Sequence, residues 1–420
     1  MTISPMNIVG RQSGWHRVWP YIGSLMMLTC LWGCSEDSEE VVRQRVNLES
    51  LPCAIGYEEE AETRAVSLTR SEPPIWIPKD DQNNPLYFLY DDLNGKFAGR
   101  KDLMHKSISV FFAKNGVNAP DEGTFFYNDY DKKWHLNNME VSEGNYYLYG
   151  FIPTEDAESA TIVPNSNFED GAVLTIHGLN AVTPSDVCVI IGAKDGTGEN
   201  AVDGLQSGSF LTKLNATNDN TNYIFLLFDH LYSALRFQFL VDEDYAKLRT
   251  IKLRKLELIA YSDDSGGGVK AKYDAKITLI NNPVGTPIVG DVLFSPIATS
   301  DDVAPVPLYD WDGTENTADD KDNEVILDPV TPTSFMGTFV PGDNVYFKLR
   351  STYDVYDKAA TPHLIRNNCQ AENYIDLRVK FGSFLSTTRG HSYSFVIKVQ
   401  PTYLYVLSDP DLDNPTVKIN

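Results

Sequence analysis

The residues that could carry out catalysis are scattered along this 420-residue sequence in patterns that match no hydrolase or metalloprotease motif. Its seven histidines include no pair four residues apart, so H-E-x-x-H does not occur, and neither does the nucleophile elbow G-x-S-x-G. His177 and His230 lie in or beside apolar runs, and we expect each to be a structural or surface histidine rather than a catalyst. We therefore predict that the protein is not an enzyme. A pair of glycosidase carboxylates stays open as an alternative.

A nucleotide-binding loop is not predicted either. Residues 196–201 fit G-x-G-x-x-A after a predicted strand, but no amphipathic helix follows them. Asp195 and Glu199 would also repel a phosphate group. We expect no cofactor.

Two clusters of side-chain oxygens could be considered for Ca²⁺. Neither has the spacing of the twelve-residue EF-hand loop, so we expect solvated acidic loops and predict no metal site. The clusters consist of Asp310, Asp312, Thr314 and Glu315 around Gly313, and of Asp409, Asp411 and Asp413.

The charge balance disfavours two classes of partner. The chain has 35 Lys and Arg against 58 Asp and Glu, a net charge of −23. Nucleic-acid binding depends on basic residues that neutralise phosphates, so a nucleic-acid partner is not expected. Peripheral binding to anionic lipid is disfavoured for the same reason.

The first 33 residues have the layout of an export signal. Two arginines precede an apolar run at residues 18–32, which is too short and too interrupted to span a membrane. The motif LWGC at residues 31–34 resembles a bacterial lipobox. We therefore predict a lipoprotein signal peptide at residues 1–33 and a lipid-anchored precursor that begins at Cys34. An ordinary signal peptide that contains a cysteine is the alternative.

The cysteines do not predict a disulfide framework. Cys30 belongs to the signal and Cys34 would carry lipid, which leaves Cys53, Cys188 and Cys369. Three widely spaced cysteines without a C-x-x-C pair favour neither disulfides nor zinc. Cys188 stands in an apolar run, and we expect it to be a small core residue.

Residues 34–64 form a charged leader rather than a domain. They carry nine acids and three bases, and they end at Thr63-Arg64-Ala65. The acidic run at residues 35–40 resembles the surface-export signal of Bacteroidales lipoproteins, with a solvated tether as the alternative.

From about residue 85 the apolar residues recur with a period of two, which is typical of antiparallel strands with one buried face. A phase slip near Lys255 predicts a bulge, residues 265–268 a hairpin tip and residues 243–249 a short helix. The run at residues 187–191 predicts a central strand. Alternating strands are predicted at residues 108–112, 146–151, 235–241, 345–350, 375–381 and 393–400.

A polar, turn-prone stretch at residues 215–222 marks the predicted domain boundary. It divides the chain into an N-terminal β-sandwich at residues 65–215 and a C-terminal β-sandwich at residues 216–420. Residues 301–323 are predicted to be a long acidic loop of the second domain.

Four features in this order resemble the fimbrillin family of Bacteroidales type V pilus subunits. The first two are the lipobox at Cys34 and the charged leader that ends at Arg64. The third is residues 228–237, in which Phe-Asp-His is followed by an alternating strand, similar to the F-x-H motif of the family. The fourth is residues 390–401, similar to its last core strand. Together the features cover nearly the whole chain.

This resemblance implies an all-β fold of two tandem transthyretin-like antiparallel β-sandwich domains. It also implies a lipoprotein precursor that an Arg-specific protease cuts between Arg64 and Ala65, with Arg70 as the alternative site. The cut would release a strand of the N-terminal domain, and a strand from another pilus subunit would fill the space by β-strand addition. The expected location is the outer membrane and cell surface, in a fimbria that contacts a host or bacterial receptor.

The C-terminus favours a tip or accessory pilin. Pro410, Pro415 and three acids make residues 408–415 a poor donor strand, and residues 416–420 are too short to be one. A stalk pilin is the alternative, with residues 402–407 as the donor. A surface glycan-binding lipoprotein is a further alternative, in which exposed rings would stack on sugar; the aromatics considered are Tyr146, Tyr147, Tyr149 and Trp311.

Overall fold

The structure is a computed structural model in which the described residues belong to one compact unit, Val42–Asn420. Side chains are described from residue 106 onward, and four earlier strands are described by their backbone. The described residues are 46–48, 53–55, 58–61, 86–88, 106–117, 119–128, 133–137, 139, 141–196, 205–215, 222–281, 288–311, 324–381 and 386–399.

Strands dominate the described part of the chain. The first twelve are β1 (Val46–Leu48), β2 (Cys53–Ile55), β3 (Glu58–Ala61), β4 (Leu86–Phe88), β5 (Ile108–Ala113), β6 (Asp121–Asn128), β7 (Lys133–Asn137), β8 (Gly144–Ile152), β9 (Ser159–Pro164), β10 (Gly171–Asn180), β11 (Val182–Thr183) and β12 (Cys188–Gly196). The next twelve are β13 (Leu211–Leu214), β14 (Asn222–His230), β15 (Ser233–Val241), β16 (Arg249–Tyr261), β17 (Lys272–Ile280), β18 (Val289–Pro296), β19 (Val306–Asp310), β20 (Val325–Ile326), β21 (Thr333–Phe339), β22 (Tyr346–Asp357), β23 (Leu364–Asp376) and β24 (His391–Val399). Two short helices, α1 (Glu243–Leu248) and α2 (Leu377–Phe381), and a 3-10 turn (Thr154–Asp156) accompany them.

The first hydrophobic core lies between two sheets. One sheet has the order β1-β7-β6-β5-β8-β12-β14-β2-β4, with β13 added to β8, and the other has the order β18-β17-β10-β9. Apolar side chains of β5, β8, β12 and β14 face those of β10 and β17; they include Phe112, Tyr149, Ile190, Leu227, Leu174 and Ile277.

The second hydrophobic core lies between two further sheets. Their orders are β11-β21-β15-β24-β3 and β19-β16-β22-β23, with β20 added to β16. The core side chains include Phe237, Phe335, Phe395, Leu253, Leu308 and Phe347. Both cores are therefore β-sandwiches, and the predicted all-β sandwich fold is confirmed. The transthyretin-like topology stays a prediction.

The two cores are not consecutive halves of the sequence. Residues 222–234 complete the first core, and β17 crosses back to pair with β10 in that core after β15 and β16 have entered the second. The division into domains at residues 65–215 and 216–420 stays a prediction.

Several local predictions are confirmed. The register between β16 and β22 shifts between Leu253 and Lys255, where the phase slip predicted a bulge. Helix α1 begins after Asp242, whose carboxylate accepts hydrogen bonds from the backbone N–H groups of Asp244 and Tyr245. Strand β12 is central, because it pairs with β14 on one side and β8 on the other.

The prediction of a strand over residues 375–381 was wrong after residue 376. There β23 ends and α2 begins, because the Asp376 carboxylate accepts a hydrogen bond of 3.0 Å from the backbone N–H of Arg378. Leu377 is buried, whereas Val379, expected on the same face, is 77% exposed.

The acidic stretch at residues 301–323 is not a loop throughout. Strand β19 lies within it and pairs with β16, and residues 312–323 lie outside the described residues. Asp310 is described, with its carboxylate 3.5 Å from Lys255 Nζ, whereas Asp312, Thr314 and Glu315 are not.

Candidate functional site: sheet edges paired with the leader

The leader adds two strands to one edge of β14. Residues 46–48 pair in parallel with residues 222–224, and Cys53 and Ala54 pair in parallel with Leu227 and Phe228. The other edge of β14 pairs with β12. Both edges of β14 are thus paired, one of them entirely by residues that precede Arg64.

The described pairing of the leader with β14 falls in two stretches whose registers differ by two residues, one ending at Leu48 and the other starting at Cys53. Residues 49–52, between these stretches, lie outside the described residues. They include Pro52, and proline has no backbone N–H to donate to a ladder.

The same leader strands continue the sheet further. Strand β1 also pairs with β7, so the sheet of the first core closes on itself through the leader. Strand β2 carries β4 on its outer side. Removal of the leader would therefore open the edges of β7 and β14 together.

A third leader strand covers the second core. Strand β3 pairs in parallel with β24, with residues 58–61 opposite residues 391–394. It is the outermost strand of its sheet in the described part of the chain. Its last residue, Ala61, precedes Arg64 by only three positions.

Strand β14 is apolar on both faces. Its residues 224–228 are all buried, and its sequence over these positions is IFLLF. An unpaired strand with such side chains would leave backbone N–H and C=O groups open beside apolar surface, which favours pairing with another strand.

A buried polar cluster lies at the end of β14. His230 Nδ1 lies 3.0 Å from Asp186 Oδ1, and the Cys188 thiol lies 3.4 Å from each of these atoms. Cys188 and His230 are register partners in the β12–β14 ladder, which brings the residues together. Burial, followed by the charge of Asp186, raises the pKa of the Cys188 thiol well above its ordinary value.

This cluster could also be considered for a metal ion, because its three ligand atoms lie within 4.8 Å of one another. A structural zinc site takes four ligands and needs a thiolate. The cluster offers three, and they are hydrogen-bonded to one another. Cys188 is fully buried in the first core, as the sequence predicted.

The predicted processing residues Cys34, Arg64, Ala65 and Arg70 lie outside the described residues, as do residues 400–420 with the alternative donor strand and Asp409, Asp411 and Asp413. No helix in the described part of the chain is both long and apolar enough to span a membrane. The four aromatics considered for sugar binding, Tyr146, Tyr147, Tyr149 and Trp311, have at most 9% of their surface exposed, so they offer no open ring face.

The family resemblance implied one releasable strand before Ala65, but the residues alone did not predict three strands in the leader. Its three strands are three or four residues long, too short for a period of two to stand out. Their apolar segments, VNL and CAI, are the only local signal.

The chain matches no protein-family profile and no curated protein in sequence. Several solved structures are similar to the structure of this chain. A candidate cell adhesion protein from Bacteroides fragilis NCTC 9343 is 14% identical, with a TM-score of 0.37 over 86% of this chain and 93% of that one. A fimbrial protein from Bacteroides vulgatus ATCC 8482 is 11% identical, with a TM-score of 0.33 over 70% and 88%. The tip fimbrial protein Mfa3 from Porphyromonas gingivalis is 10% identical, with a TM-score of 0.27 over 73% and 94%.

The matched structures are Bacteroidales fimbrial and cell adhesion proteins, the group that the sequence resembles. At these identities and TM-scores the likeness does not carry a function over to this chain.

Proposed function

We propose that the protein is a fimbrial subunit of the cell surface, made as a lipoprotein precursor whose leader protects the sheet edges that later receive a neighbouring subunit. A cut after Arg64 separates β1, β2 and β3 from the rest of the chain. The observation that carries this proposal is the parallel pairing of β1 and β2 with β14.

Strand exchange needs a reason for the incoming strand to replace the leader. The register of the leader against β14 changes by two residues between Leu48 and Cys53, and Pro52 has no backbone N–H to donate. A donor strand that keeps one register along residues 222–228 would pair better, and each further backbone hydrogen bond contributes about 1 kcal/mol net. Before the cut, the leader is part of the same chain and has the entropic advantage over a separate strand. After the cut, this advantage is lost and the donor strand is favoured.

The acidic leader strand β3 supports the same order of events. Its sequence is EEEA, and glutamate has a low preference for strands. Such a strand pairs weakly with β24 and can be displaced by another strand. Within a pilus we assign the protein a tip or accessory position, because residues 408–420 are poorly suited to donate a strand.

The decisive experiment is N-terminal sequencing of protein sheared from the cell surface, for the wild type and for Arg64→Ala. The proposal expects Ala65 as the first residue of the wild type, and a leader that stays attached in the variant. Arg70→Ala is the matched control and should be processed normally. A wild-type surface protein that still begins at a lipidated Cys34 would contradict the proposal and favour an anchored glycan-binding lipoprotein.

A second experiment separates tip from stalk. Deletion of residues 402–420 should leave fimbrial assembly unchanged if the protein is a tip or accessory subunit. Loss of subunits beyond this one would instead identify residues 402–407 as a donor strand.

A further inference from the structure

Three tyrosines lie on the outward face of the β16-β22-β23 sheet. Tyr261 is the register partner of Tyr346, and Tyr346 is the register partner of Asp376. Two residues further along, Lys348 is the register partner of Tyr374, which places their side chains on the same face. The alternate residue Phe347 points into the second core.

These rings line a pocket of about 560 Å³. Residues 263–266, in the turn between β16 and β17, form one wall, and Val379 of α2 lies on another. A volume of this size suits a small ligand. Tyr374 is 72% exposed and Val379 is 77% exposed, so neither contributes to a core. Tyr346 packs partly against the second core. The outward face of an antiparallel sheet is ordinarily polar, and core packing does not explain the exposed ring of Tyr374 there.

Fixed charges of both signs surround the rings. Lys348 Nζ lies 5.8 Å from the ring centre of Tyr261 and 5.4 Å from that of Tyr374. Its hydrogen bond to Tyr261, followed by that to Glu372, raises the pKa of Lys348, so it stays charged. Arg378 lies 4.5 Å from the ring centre of Tyr346.

Each of these cations also has a carboxylate partner. Lys348 pairs with Glu372 at 3.3 Å, and Arg378 pairs with Asp376 at 3.3 Å. The hairpin tip adds Asp263, whose pKa is lowered by hydrogen bonds from Ser265 and Gly267. The pocket therefore has an excess of negative charge.

The charges disfavour an anionic ligand. A phosphorylated, sulfated or sialylated ligand would be repelled by the excess of carboxylates. A basic side chain of a partner is the competing ligand, but Glu372 and Asp376 are already paired with Lys348 and Arg378. What fits is a neutral molecule with an apolar face for the tyrosines and hydroxyl groups that donate to carboxylates and accept from cations.

We propose that this pocket binds a neutral carbohydrate, with Tyr374 as the stacking residue. Tyr261 and Tyr346 form the floor, Asp376 accepts from sugar hydroxyls, and Arg378 donates to them. This site lies on the second core, and its function does not depend on cleavage or strand exchange.

Binding can be tested with the purified full chain and a panel of neutral, sialylated and sulfated oligosaccharides, using a glycan array and saturation-transfer NMR. Neutral members should bind and anionic members should not. Tyr374→Ala should weaken binding about tenfold, because a stacking ring is lost. Tyr374→Phe should bind like the wild type, because it keeps the ring.

The matched control is Tyr356→Ala, at the other end of β22. Tyr356 is half-buried, and Lys252 Nζ lies 4.9 Å from the centre of its ring, but it is not part of the pocket. Its removal should leave sugar binding unchanged. The proposal is overturned if no neutral sugar binds at millimolar concentration, if Tyr374→Ala binds as well as the wild type, or if an arginine-rich peptide binds in place of the sugars.

Discussion

Arg389 connects the ends of β14 and β24, the two strands with which the leader pairs. Its Nη1 atom lies 2.6 Å from Asp229 Oδ2 and donates a 3.1 Å hydrogen bond to the carbonyl oxygen of His230, both at the end of β14. Arg389 itself precedes β24 by two residues. The end of β14 in the first core is thus joined to the start of β24 in the second.

We expect Arg389 and Asp229 to be energetically coupled. Both side chains are only about a quarter exposed, so their interaction is screened less than that of a surface pair. A double-mutant cycle with Arg389→Gln and Asp229→Asn, measured by urea unfolding, should give a coupling free energy of about 1 kcal/mol.

The control for this cycle is the exposed pair Lys247–Asp244, with side chains 71% and 86% exposed. Its coupling should be clearly weaker than that of Arg389 and Asp229, because water and salt screen exposed charges. Equal coupling in the two pairs would show that Arg389 does not join the strands in the way the structure indicates.

Removal of the leader should uncover specific backbone amides. In hydrogen exchange, alternate amides of residues 222–228 and 391–394 should lose protection after the cut at Arg64. The amides of β14 that face β12 should stay protected, because that ladder is unchanged. The measurement is peptide-resolved mass spectrometry before and after cleavage with an Arg-specific protease.

Arg64→Ala combined with Arg70→Ala provides the control for the exchange experiment, since a protease that cuts after arginine could otherwise release the leader at Arg70. Addition of a strand peptide to the cut protein should restore protection to residues 222–228. If these amides are equally protected in the cut and uncut proteins, the leader is not the cover of β14.

The buried thiol of Cys188 should make the protein less stable in alkali. Its pKa is raised in the folded state, so its contribution is fully present below the unfolded-state pKa and is lost as the pH rises toward the folded value. Between about pH 8.5 and 9.5 the free energy of unfolding should fall by about 1 kcal/mol more in the wild type than in Cys188→Ala.

The control is the matched change at Cys369, which is only half-buried. Cys369→Ala should keep the wild-type dependence on pH over the same range. A Cys188→Ala variant with the wild-type slope would show that the thiol does not carry the effect.

The period of two predicted the sandwich strands because it reports burial directly. Strand β15 alternates buried and half-buried positions from Leu235 to Val241, as the sequence indicated. The same pattern failed at residues 377–381, because spacing alone does not distinguish a strand from a short helix that begins after Asp376. The hydrogen bond from Arg378 to the Asp376 carboxylate decides between them.

The candidate site was predictable only in part. The position of Arg64 and the apolar acceptor strand at residues 224–228 are visible in the sequence. The strand with which the leader pairs is not visible in the sequence, because residues 46–48 pair with residues 222–224, far away along the chain. Parallel pairing at such a distance leaves no local signal. The tyrosine pocket also escaped prediction, because Tyr261, Tyr346 and Tyr374 come together only through the registers of β16, β22 and β23.

The close contact of β8 with β5 depends on a glycine. A side chain at Gly150 would collide with the backbone carbonyl oxygen of Ser109, and neither strand can move away, since both are buried in the first core. Gly150→Ala should therefore lower the free energy of unfolding by about 3 kcal/mol, the upper range for overpacking. Gly290→Ala in β18 is the matched control, because its nearest contact would be an ordinary 3.5 Å from the carbonyl oxygen of Thr278. That control should change stability by no more than about 0.5 kcal/mol. Urea unfolding of the two variants checks the contrast, and equal stabilities would mean that β5 and β8 do not approach as closely as their register requires.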